Sequence, residues 1–277
     1  MPASLVENSY GKSRVRLTKI IRRTDRHELF EVSIDIRLEG DFANSYLDGD
    51  NRKVIATDSM KNTVYVLAAE KQFESIEEFA ILLARHFKTT YSQVRSATVE
   101  ISRDRWERIA VDGQPHPHAF AGAGSEQQIC RFDGETLHGG IRGLQVVKTT
   151  ASEFSDFVTD RYRTLRDAKD RIFGTVVNGD WEYASEKADF NAAAESIRRA
   201  LLSAFAKHHS LAVQQTLLVM GEAALSACPN IKTISLEMPN KHRIPFDLKP
   251  FGLENRNEVF VTTDEPYGLI RGTVARK

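Results

Sequence analysis

The sequence predicts an α+β fold built from two similar units, each with an antiparallel sheet. The first half of the chain has the pattern strand, strand, helix, helix, strand, strand, and the second half repeats that order after the turn at Asp133-Gly134. The repeat lies in the order of the elements, because the two halves share no convincing identity between residues. We therefore expect one domain over residues 1–134 and a second over residues 135–277.

Hydrophobic periodicity places the elements of the first half. Apolar residues that alternate with polar ones predict strands, and these are residues 15–20, 31–38, 94–101 and 127–132. Apolar residues at helical spacing predict two helices between the second and third strands. Thr57 begins the first helix as a possible N-cap, and Ser75 with Glu78 has the sequence of a capping box before the second. The segment 113–124, rich in Gly, Pro and His, is predicted to be a loop.

The second half shows the same signals. The predicted strands are residues 141–148, 175–183, 231–237 and 258–262, and the predicted helices are residues 191–208 and 212–228. Residues 152–171, between the first two strands, are rich in aromatic and charged side chains. A four-stranded antiparallel sheet with both helices on one face leaves its other face and its edges uncovered. We therefore expect such units to assemble into a closed oligomer.

Composition excludes several classes of protein. The 277 residues include 38 Lys or Arg and 38 Asp or Glu, so the formal charge is zero when the histidines are neutral. Proteins that bind nucleic acid or anionic membranes usually carry a basic excess, and we expect neither partner. The sequence has no apolar run that could span a bilayer, no signal peptide and no C-terminal Ser-Lys-Leu. We expect a cytoplasmic protein.

Residues that could build a metal or cofactor site are sparse. Cys130 and Cys228 are the two cysteines, too few for a disulfide framework or a thiolate metal site within one chain. His116 and His118, with His138 further along, could be imagined as metal ligands, but no Cys, Asp or Glu lies at ligand spacing. The sequence also has no Walker loop, no nucleophile elbow and no dinucleotide-binding loop. We expect no metal and no cofactor.

Five separated segments carry a more specific signal. They are Tyr10-Gly11-Lys12, the segment 56–63 (ATDSMKNT), Phe154 with Asp170-Arg171, Val213-Gln214, and the segment 239–242 (PNKH). In these segments the chain resembles the urate oxidase (uricase) family, whose members have two tandem T-fold domains of ββααββ order. The resemblance covers the whole length, and it implies an oligomeric barrel that encloses a tunnel. One departure from the family is conservative, since Met238 replaces a leucine.

The resemblance implies a purine-binding site. In the family an Arg and a Gln hold the purine like tweezers, and the matching residues are Arg171 and Gln214. A guanidinium can donate two parallel hydrogen bonds, and an amide offers a donor and an acceptor. Phe154 matches the aromatic residue that stacks on the ring, and the backbone N–H of Val213, at a predicted helix start, adds a donor. Singly, each side chain would be interpreted as surface or core, but their joint occurrence favours a site.

The resemblance also implies a proton relay. Lys12, Thr57 and His242 match the family's relay. A lysine whose pKa is lowered by burial can act as a base, a hydroxyl can pass protons, and an imidazole titrates near neutral pH. Asn240 matches the residue that holds dioxygen or water over the purine plane. In the family the residues matching Thr57 and Asp58 come from the neighbouring subunit, so we expect a homotetramer with its sites at subunit interfaces.

The expected activity is the oxidation of urate. Oxidation by dioxygen normally requires a flavin, haem, copper or iron, but deprotonated urate is electron-rich enough to serve as its own reductant. The protein then binds the anion, removes a further proton and places dioxygen and later water against the ring. The expected products are 5-hydroxyisourate and hydrogen peroxide.

Two alternatives belong to other classes. T-fold relatives that process pterins or GTP use similar pockets, but the zinc-dependent ones need Cys and His ligands that this chain lacks at suitable spacing. A purine-binding module could keep Arg171 and Gln214 without any chemistry. The joint presence of Lys12, Thr57 and His242 disfavours the second alternative.

Overall fold

The computed structural model describes residues 3–276. The first half contains β1 (Tyr10–Arg22), β2 (His27–Gly40), α1 (Ala43–Leu47), α2 (Thr57–Glu70), α3 (Ile76–Thr90), β3 (Val94–Val111) and β4 (Gln114–Phe132). The second contains β5 (Leu137–Lys148), β6 (Phe173–Tyr183), α4 (Phe190–Lys207), α5 (Val213–Ala227), β7 (Ile231–Pro245), a 3-10 helix (Lys249–Phe251) and β8 (Phe260–Ala275). Apart from α1 and the 3-10 helix, each half has the predicted order ββααββ, so the α+β fold class is confirmed.

The chain forms two compact units. The first runs to Gly140 and includes Ser185–Asn191, and the second contains Ile141–Ala184 and the residues from Ala192 onward. The strand order is β1-β2-β3-β4 in the first unit and β5-β6-β7-β8 in the second. The pairs β1–β2, β2–β3, β3–β4, β6–β7 and β7–β8 are antiparallel.

The core of the first unit lies between its sheet and its helices. Alternate side chains of β2 point to one face, and those on the inner face are at most 2% exposed: Phe30, Val32, Ile34, Ile36 and Leu38. The helix α2 packs on β1, and α3 packs on β3 and β4. The side chains that α3 buries recur at helical spacing, and they include Phe79, Leu83 and Phe87.

The two long helices of this unit begin differently. The Ser75 hydroxyl accepts the N–H of Glu78 at 3.1 Å, as the capping-box sequence predicts. The prediction that Thr57 caps α2 is wrong, because Ala56 is the N-cap and Thr57 is the first helical residue. The carbonyl oxygen of Ala56 accepts the N–H of Met60 at 3.1 Å. The Thr57 hydroxyl is therefore not used as a cap.

The prediction of a loop over residues 113–124 is also wrong. The strands β3 and β4 form one long hairpin of 18 and 19 residues, which turns at Asp112 and Gly113 with φ angles of 51° and 75°. Two register shifts let the irregular sequence stay paired. Arg108 stabilises the hairpin, because it donates to the carbonyl oxygen of Pro117 at 2.9 Å and to the carboxylate of Glu28 at 2.8 Å.

The core of the second unit is built in the same way. The inner face of β6 buries Phe173, Val177 and Trp181, and α5 packs on β7 and β8. The strands β7 and β8 are longer than predicted, and their pairing runs from Thr233 opposite Ala275 to Pro245 opposite Phe260. The apolar alternation stops at Met238 because the later residues of β7 are mostly polar, although the backbone pairing continues.

Both cysteines are buried and unpaired by disulfides. Burial raises the pKa of the Cys130 thiol well above its ordinary value. Within residues 3–276, no helix has the length and apolar character that crossing a bilayer requires.

Candidate active site

Six of the nine predicted site residues line one cavity in the second unit. Its volume is about 800 Å³, within the usual range for small-molecule sites. The six residues come from distant parts of the chain, and they are Phe154, Arg171, Val213, Gln214, Asn240 and His242.

The first turn of α5 forms part of the cavity wall. The helix begins at Val213, and the N-cap residue Ala212 offers no side-chain cap. Backbone N–H groups in a first helical turn have no acceptor within the helix, and the helix dipole makes this end positive. Val213 is buried, whereas the side chain of Gln214 is exposed beside the cavity. This wall therefore suits an anionic or hydrogen-bonding ligand.

Arg171 supplies a cation at the cavity. Its Nε donates to the carbonyl oxygen of Glu153 at 3.4 Å, and its guanidinium carbon lies 5.8 Å from the ring centroid of Phe154 and 5.6 Å from that of Phe173. Burial alone lowers the pKa of Arg171, without a contribution from a neighbouring charge. A guanidinium nevertheless stays protonated in proteins. The remaining N–H donors of Arg171 can therefore serve a ligand.

Phe154 gives the cavity a flat aromatic surface. Its backbone forms two hydrogen bonds with Ala168, of 2.8 Å and 2.9 Å. Its ring is stacked on that of Phe157, with the centroids 4.7 Å apart and an interplanar angle of 11°. Phe154 borders the cavity and Phe157 does not, so one face of the Phe154 ring is covered by protein.

Ser210 ties the segment that carries Phe154 to the chain just before α5. Its N–H donates to the carbonyl oxygen of Ala151 at 3.0 Å, and its own carbonyl oxygen accepts the N–H of Glu153 at 2.6 Å. The N–H of Arg171 donates to Ser152 in the same segment at 2.9 Å. The aromatic ring and the guanidinium are thus attached through one short stretch of backbone.

Two buried hydroxyls extend this connection into α5. The Thr216 hydroxyl donates to the hydroxyl of Ser210 at 2.7 Å, and Ser210 in turn donates to the carbonyl oxygen of Ala212 at 3.2 Å. Both side chains are fully buried, and hydrogen bonds shielded from water hold their geometry well. The first turn of α5 and the Phe154 segment are therefore held at a fixed separation.

Asn240 and His242 lie on β7 where it extends past the core. Asn240 pairs with Thr175 on β6 and with Gly268 on β8, and His242 pairs with Thr263 after a register shift. A bulge of this kind changes the direction of the side chains that follow it. Both residues border the cavity.

The other three predicted site residues lie in the first unit, and they are Lys12, Thr57 and Asp58. A Cβ atom on Gly11 would lie 1.7 Å from the carbonyl oxygen of Ile36, so only glycine allows β1 to approach β2 here. A bulge follows Lys12, where Arg14 has a φ of 58°. The Tyr10 hydroxyl accepts the N–H of Ile55 at 2.8 Å, which ties the Lys12 segment to the chain entering α2.

Asp58 and Thr57 occupy the first turn of α2. The Asp58 carboxylate accepts hydrogen bonds from Lys61 at 2.6 Å and from Asn62 at 2.9 Å. The hydrogen bond from Lys61 is the main cause that lowers the pKa of Asp58, and the charge of Lys12 also contributes. Thr57 is exposed and Lys12 is half-buried. In the part of the chain that the structure describes, the Thr57 hydroxyl has no hydrogen-bond partner.

A protein-family model that matches most of the chain identifies its family. The model described as Uricase matches residues 8–133 and 137–271. The chain belongs to the uricase family. The uricase of Arthrobacter globiformis is 42% identical over 277 residues, which cover 99% of this chain and 90% of that protein. The uricase of Dictyostelium discoideum is 37% identical, with 99% of this chain and 98% of that protein covered.

Solved uricase structures share the fold. The crystal structure of the Arthrobacter globiformis uricase has a TM-score of 0.93 at 41% identity, and the match covers 100% of this chain and 96% of that chain. The urate oxidase of Bacillus sp. TB-90 has the same fold with a TM-score of 0.85 at 24% identity, over 97% of this chain and 100% of that chain. The uricase-type tandem T-fold implied by the resemblance is therefore confirmed.

Several residues that organise the cavity have no role predicted from the sequence. Phe157, Ser210 and Thr216 fall into this group, because an aromatic residue in a loop and hydroxyls beside a helix carry no distinctive sequence signal. Tyr10 lies in the first unit and does not border this cavity, and its place in the segment Tyr10-Gly11-Lys12 is the one signal that points to it.

Two of the histidines considered as metal ligands lie together on β4, with a third histidine of β2 nearby. The rings of His116 and His118 lie 4.5 Å apart on β4, and the ring of His27 lies 6.0 Å from His118. Across residues 3–276 there is no group of three or more His, Cys, Asp or Glu side chains arranged to hold a metal ion.

Proposed function

We propose that this member of the uricase family is a urate oxidase, which converts urate, dioxygen and water to 5-hydroxyisourate and hydrogen peroxide. The observation that carries the proposal is the cavity at the start of α5. It combines a flat aromatic face, a cation without an ion-pair partner among residues 3–276 and a helix N-terminus. These features match the shape, charge and hydrogen-bonding edges of a purine anion.

In the proposed complex urate lies against the ring of Phe154. Arg171 donates hydrogen bonds to one edge of the anion, and the Gln214 amide pairs with an amide edge of the purine. The backbone N–H of Val213 adds a donor at the positive end of α5. Burial supports this arrangement, because the attraction between Arg171 and an anion is stronger where water is excluded.

The proposed relay consists of Lys12, Thr57 and His242. The Thr57 hydroxyl passes a proton between the ligand and the Lys12 amine, and His242 extends the path. This role is supported by the Thr57 hydroxyl, which does not cap α2 and has no hydrogen-bond partner among residues 3–276. Asn240 holds dioxygen, and later water, over the ring.

The proposed reaction balances without a flavin or a metal. Urate gives two electrons to dioxygen, and dioxygen takes up two protons and leaves as hydrogen peroxide. Water then supplies the hydroxyl group of 5-hydroxyisourate. The protein contributes position and proton transfer, and the electrons come from the substrate itself.

The proposed active form is a homotetramer with its sites at subunit interfaces. Thr57 and Asp58 of one subunit complete the cavity of its neighbour, as the family resemblance implies, and we place Lys12 with them because it lies in the same unit. We place this tetramer in the cytoplasm, without nucleic-acid or membrane partners. The tetramer, its location and the absence of these partners stay predictions.

Single substitutions test the proposed roles. We expect Lys12→Met and Thr57→Ala to lower kcat by orders of magnitude while urate still binds, because each removes a relay group. Arg171→Ala should weaken urate binding by about 10- to 100-fold, since a hydrogen bond to a charged group contributes about 1.5–3 kcal/mol. Turnover is followed by the loss of urate ultraviolet absorbance and the release of peroxide, and binding by titration without oxygen. Unchanged turnover in both relay variants would contradict the assignment.

A further inference from the structure

Phe154 is the inner member of a stack of three side chains. The Phe157 ring lies almost parallel to it, at 4.7 Å between centroids. On the next level the guanidinium carbon of Arg163 lies 4.1 Å from the centroid of Phe157. Phe154 borders the cavity, whereas Phe157 and Arg163 do not. The order from the outside inward is therefore cation, ring, ring, cavity.

Arg163 is held in place by hydrogen bonds in several directions. Its Nη2 donates to the carboxylate of Asp167 at 2.8 Å, its Nη1 to the hydroxyl of Thr159 at 2.6 Å, and its Nε to the carbonyl oxygen of Leu165 at 3.1 Å. A guanidinium is planar, so three such bonds fix the orientation of its plane as well as its position. The side chain is 21% exposed. Phe157 therefore packs against a rigid surface.

The stack of Phe154 on Phe157 is an apolar contact within residues 152–171. Other large apolar side chains of the same segment are mostly exposed in the single chain, at 82% for Val158, 72% for Tyr162 and 60% for Leu165. They cannot fix the direction of the Phe154 ring. Phe157 packs on one side of that ring, the backbone of Phe154 pairs with Ala168, and the guanidinium carbon of Arg171 lies 5.8 Å from the ring centroid.

We propose that Phe157 and Arg163 are positioning residues for the purine ring. They hold the plane of Phe154, so that only its cavity face is offered to the ligand and no ordering is needed on binding. The cation strengthens the stack because it is attracted to the π face of Phe157. This inference rests on the proposed function, in which Phe154 stacks on urate.

The test compares two substitutions of Phe157. Phe157→Leu keeps an apolar side chain of similar volume but removes the flat ring, and we expect the Kd and KM for urate to rise about tenfold. The turnover number at saturating urate should change less than about threefold, because the reacting groups are untouched. Phe157→Tyr keeps the ring and should restore the wild-type Kd. Urate titration without oxygen and steady-state kinetics give the two quantities.

The first unit provides a matched control. There the ammonium nitrogen of Lys19 lies 4.3 Å from the Phe73 ring centroid, and Phe73 is stacked on Phe79 at 4.2 Å and 13°. Phe73→Leu removes the same kind of stack at another place. We expect it to lower the melting temperature and to leave the urate Kd unchanged.

The outcomes separate this inference from the proposed function. If Arg171→Ala and Phe154→Ala both leave urate binding unchanged, the proposed function itself fails. If those two variants bind urate weakly while Phe157→Leu binds it like the wild type, the positioning role of Phe157 is overturned and the proposed function stands. A Phe157→Tyr variant as weak as Phe157→Leu would also overturn the inference.

Discussion

The phenol of Tyr10 connects the strand that carries Lys12 to the chain that enters α2. Burial raises the pKa of Tyr10, so its hydroxyl stays protonated at neutral pH while it accepts the N–H of Ile55 at 2.8 Å. The ring also packs edge-on against Phe42, at 4.8 Å between centroids. The distance between Lys12 and Thr57 therefore depends on a hydrogen bond that neither residue makes.

Replacing Tyr10 by Phe should separate turnover from binding. Without the phenol, the N–H of Ile55 loses its acceptor, and the segments that carry Lys12 and Thr57 can shift relative to each other. We expect kcat to fall about tenfold, because even a displacement of about 1 Å between reacting groups slows catalysis strongly. The urate Kd should stay within about twofold, since Arg171 and Gln214, the residues proposed to hold the purine, lie in the second unit. Steady-state kinetics and anaerobic titration measure the two effects. Tyr65→Phe, which removes a hydrogen bond to the carbonyl oxygen of Arg16, is the control, and equal kcat values in the two variants would count against this role.

The family resemblance predicts individual site residues that composition and hydrophobic periodicity do not. Each of Phe154, Arg171 and Gln214 is ordinary when it is considered alone, and the structure brings them to one cavity because distant segments pair through Ser210. Such pairing leaves no trace in local sequence. The partners of Asp58 are of the opposite kind, because Lys61 and Asn62 lie three and four residues further along the same helix, at a spacing that the sequence shows.

Hydrogen bonds through Ser210 and Thr216 connect the first turn of α5 to the segment that carries Phe154. We expect Thr216→Val, which keeps the shape but removes the hydroxyl bonded to Ser210, to raise the urate Kd about threefold to tenfold. Thr216→Ser should restore binding because it keeps the hydroxyl. Thr98→Val, the same substitution at a buried threonine of β3, is the control in the first unit and should leave the urate Kd unchanged. Isothermal titration without oxygen measures the Kd, and a wild-type value for Thr216→Val would contradict the expected coupling.

Whole elements were predictable where burial is regular. The strand β2 and the helix α3 alternate or repeat with the period of their structure, because one face of each is buried. The outer halves of β4 and β7 were missed, since Gly, Pro and His or a run of polar residues replaced that period. In both strands pairing with a neighbouring strand, which is a tertiary property, maintains the extended backbone.

Over the whole molecule, the proposed purine-binding pair Arg171 and Gln214 belongs to the second unit. Two of the three proposed relay residues, Lys12 and Thr57, belong to the first. If each site combines units from two subunits, a variant defective in the first unit and a variant defective in the second should rescue one another. In hybrids of Lys12→Met and Arg171→Ala chains at equal amounts, about a quarter of the sites receive both intact halves by random assortment. At a urate concentration far below the KM of the Arg171→Ala variant, where neither variant alone turns over much urate, we expect co-expressed, differently tagged chains to regain about that share of wild-type activity.

The control for this experiment uses two variants of the same unit. Hybrids of Lys12→Met with Thr57→Ala contain no intact first unit, so they should remain inactive. If hybrids of Lys12→Met with Arg171→Ala also remain inactive although both tags copurify, the sites do not combine parts of two subunits.

The two buried cysteines bear on how long such a catalyst survives. The thiolate is the form of cysteine that peroxide oxidises, and access to solvent controls the rate. Both thiols are buried, and burial keeps Cys130 in its neutral form. Each turnover of the proposed reaction releases an oxidant inside the protein's own site. Because Cys130 and Cys228 are buried away from solvent, the peroxide has little access to them, and thiol oxidation should not limit the working lifetime of the enzyme.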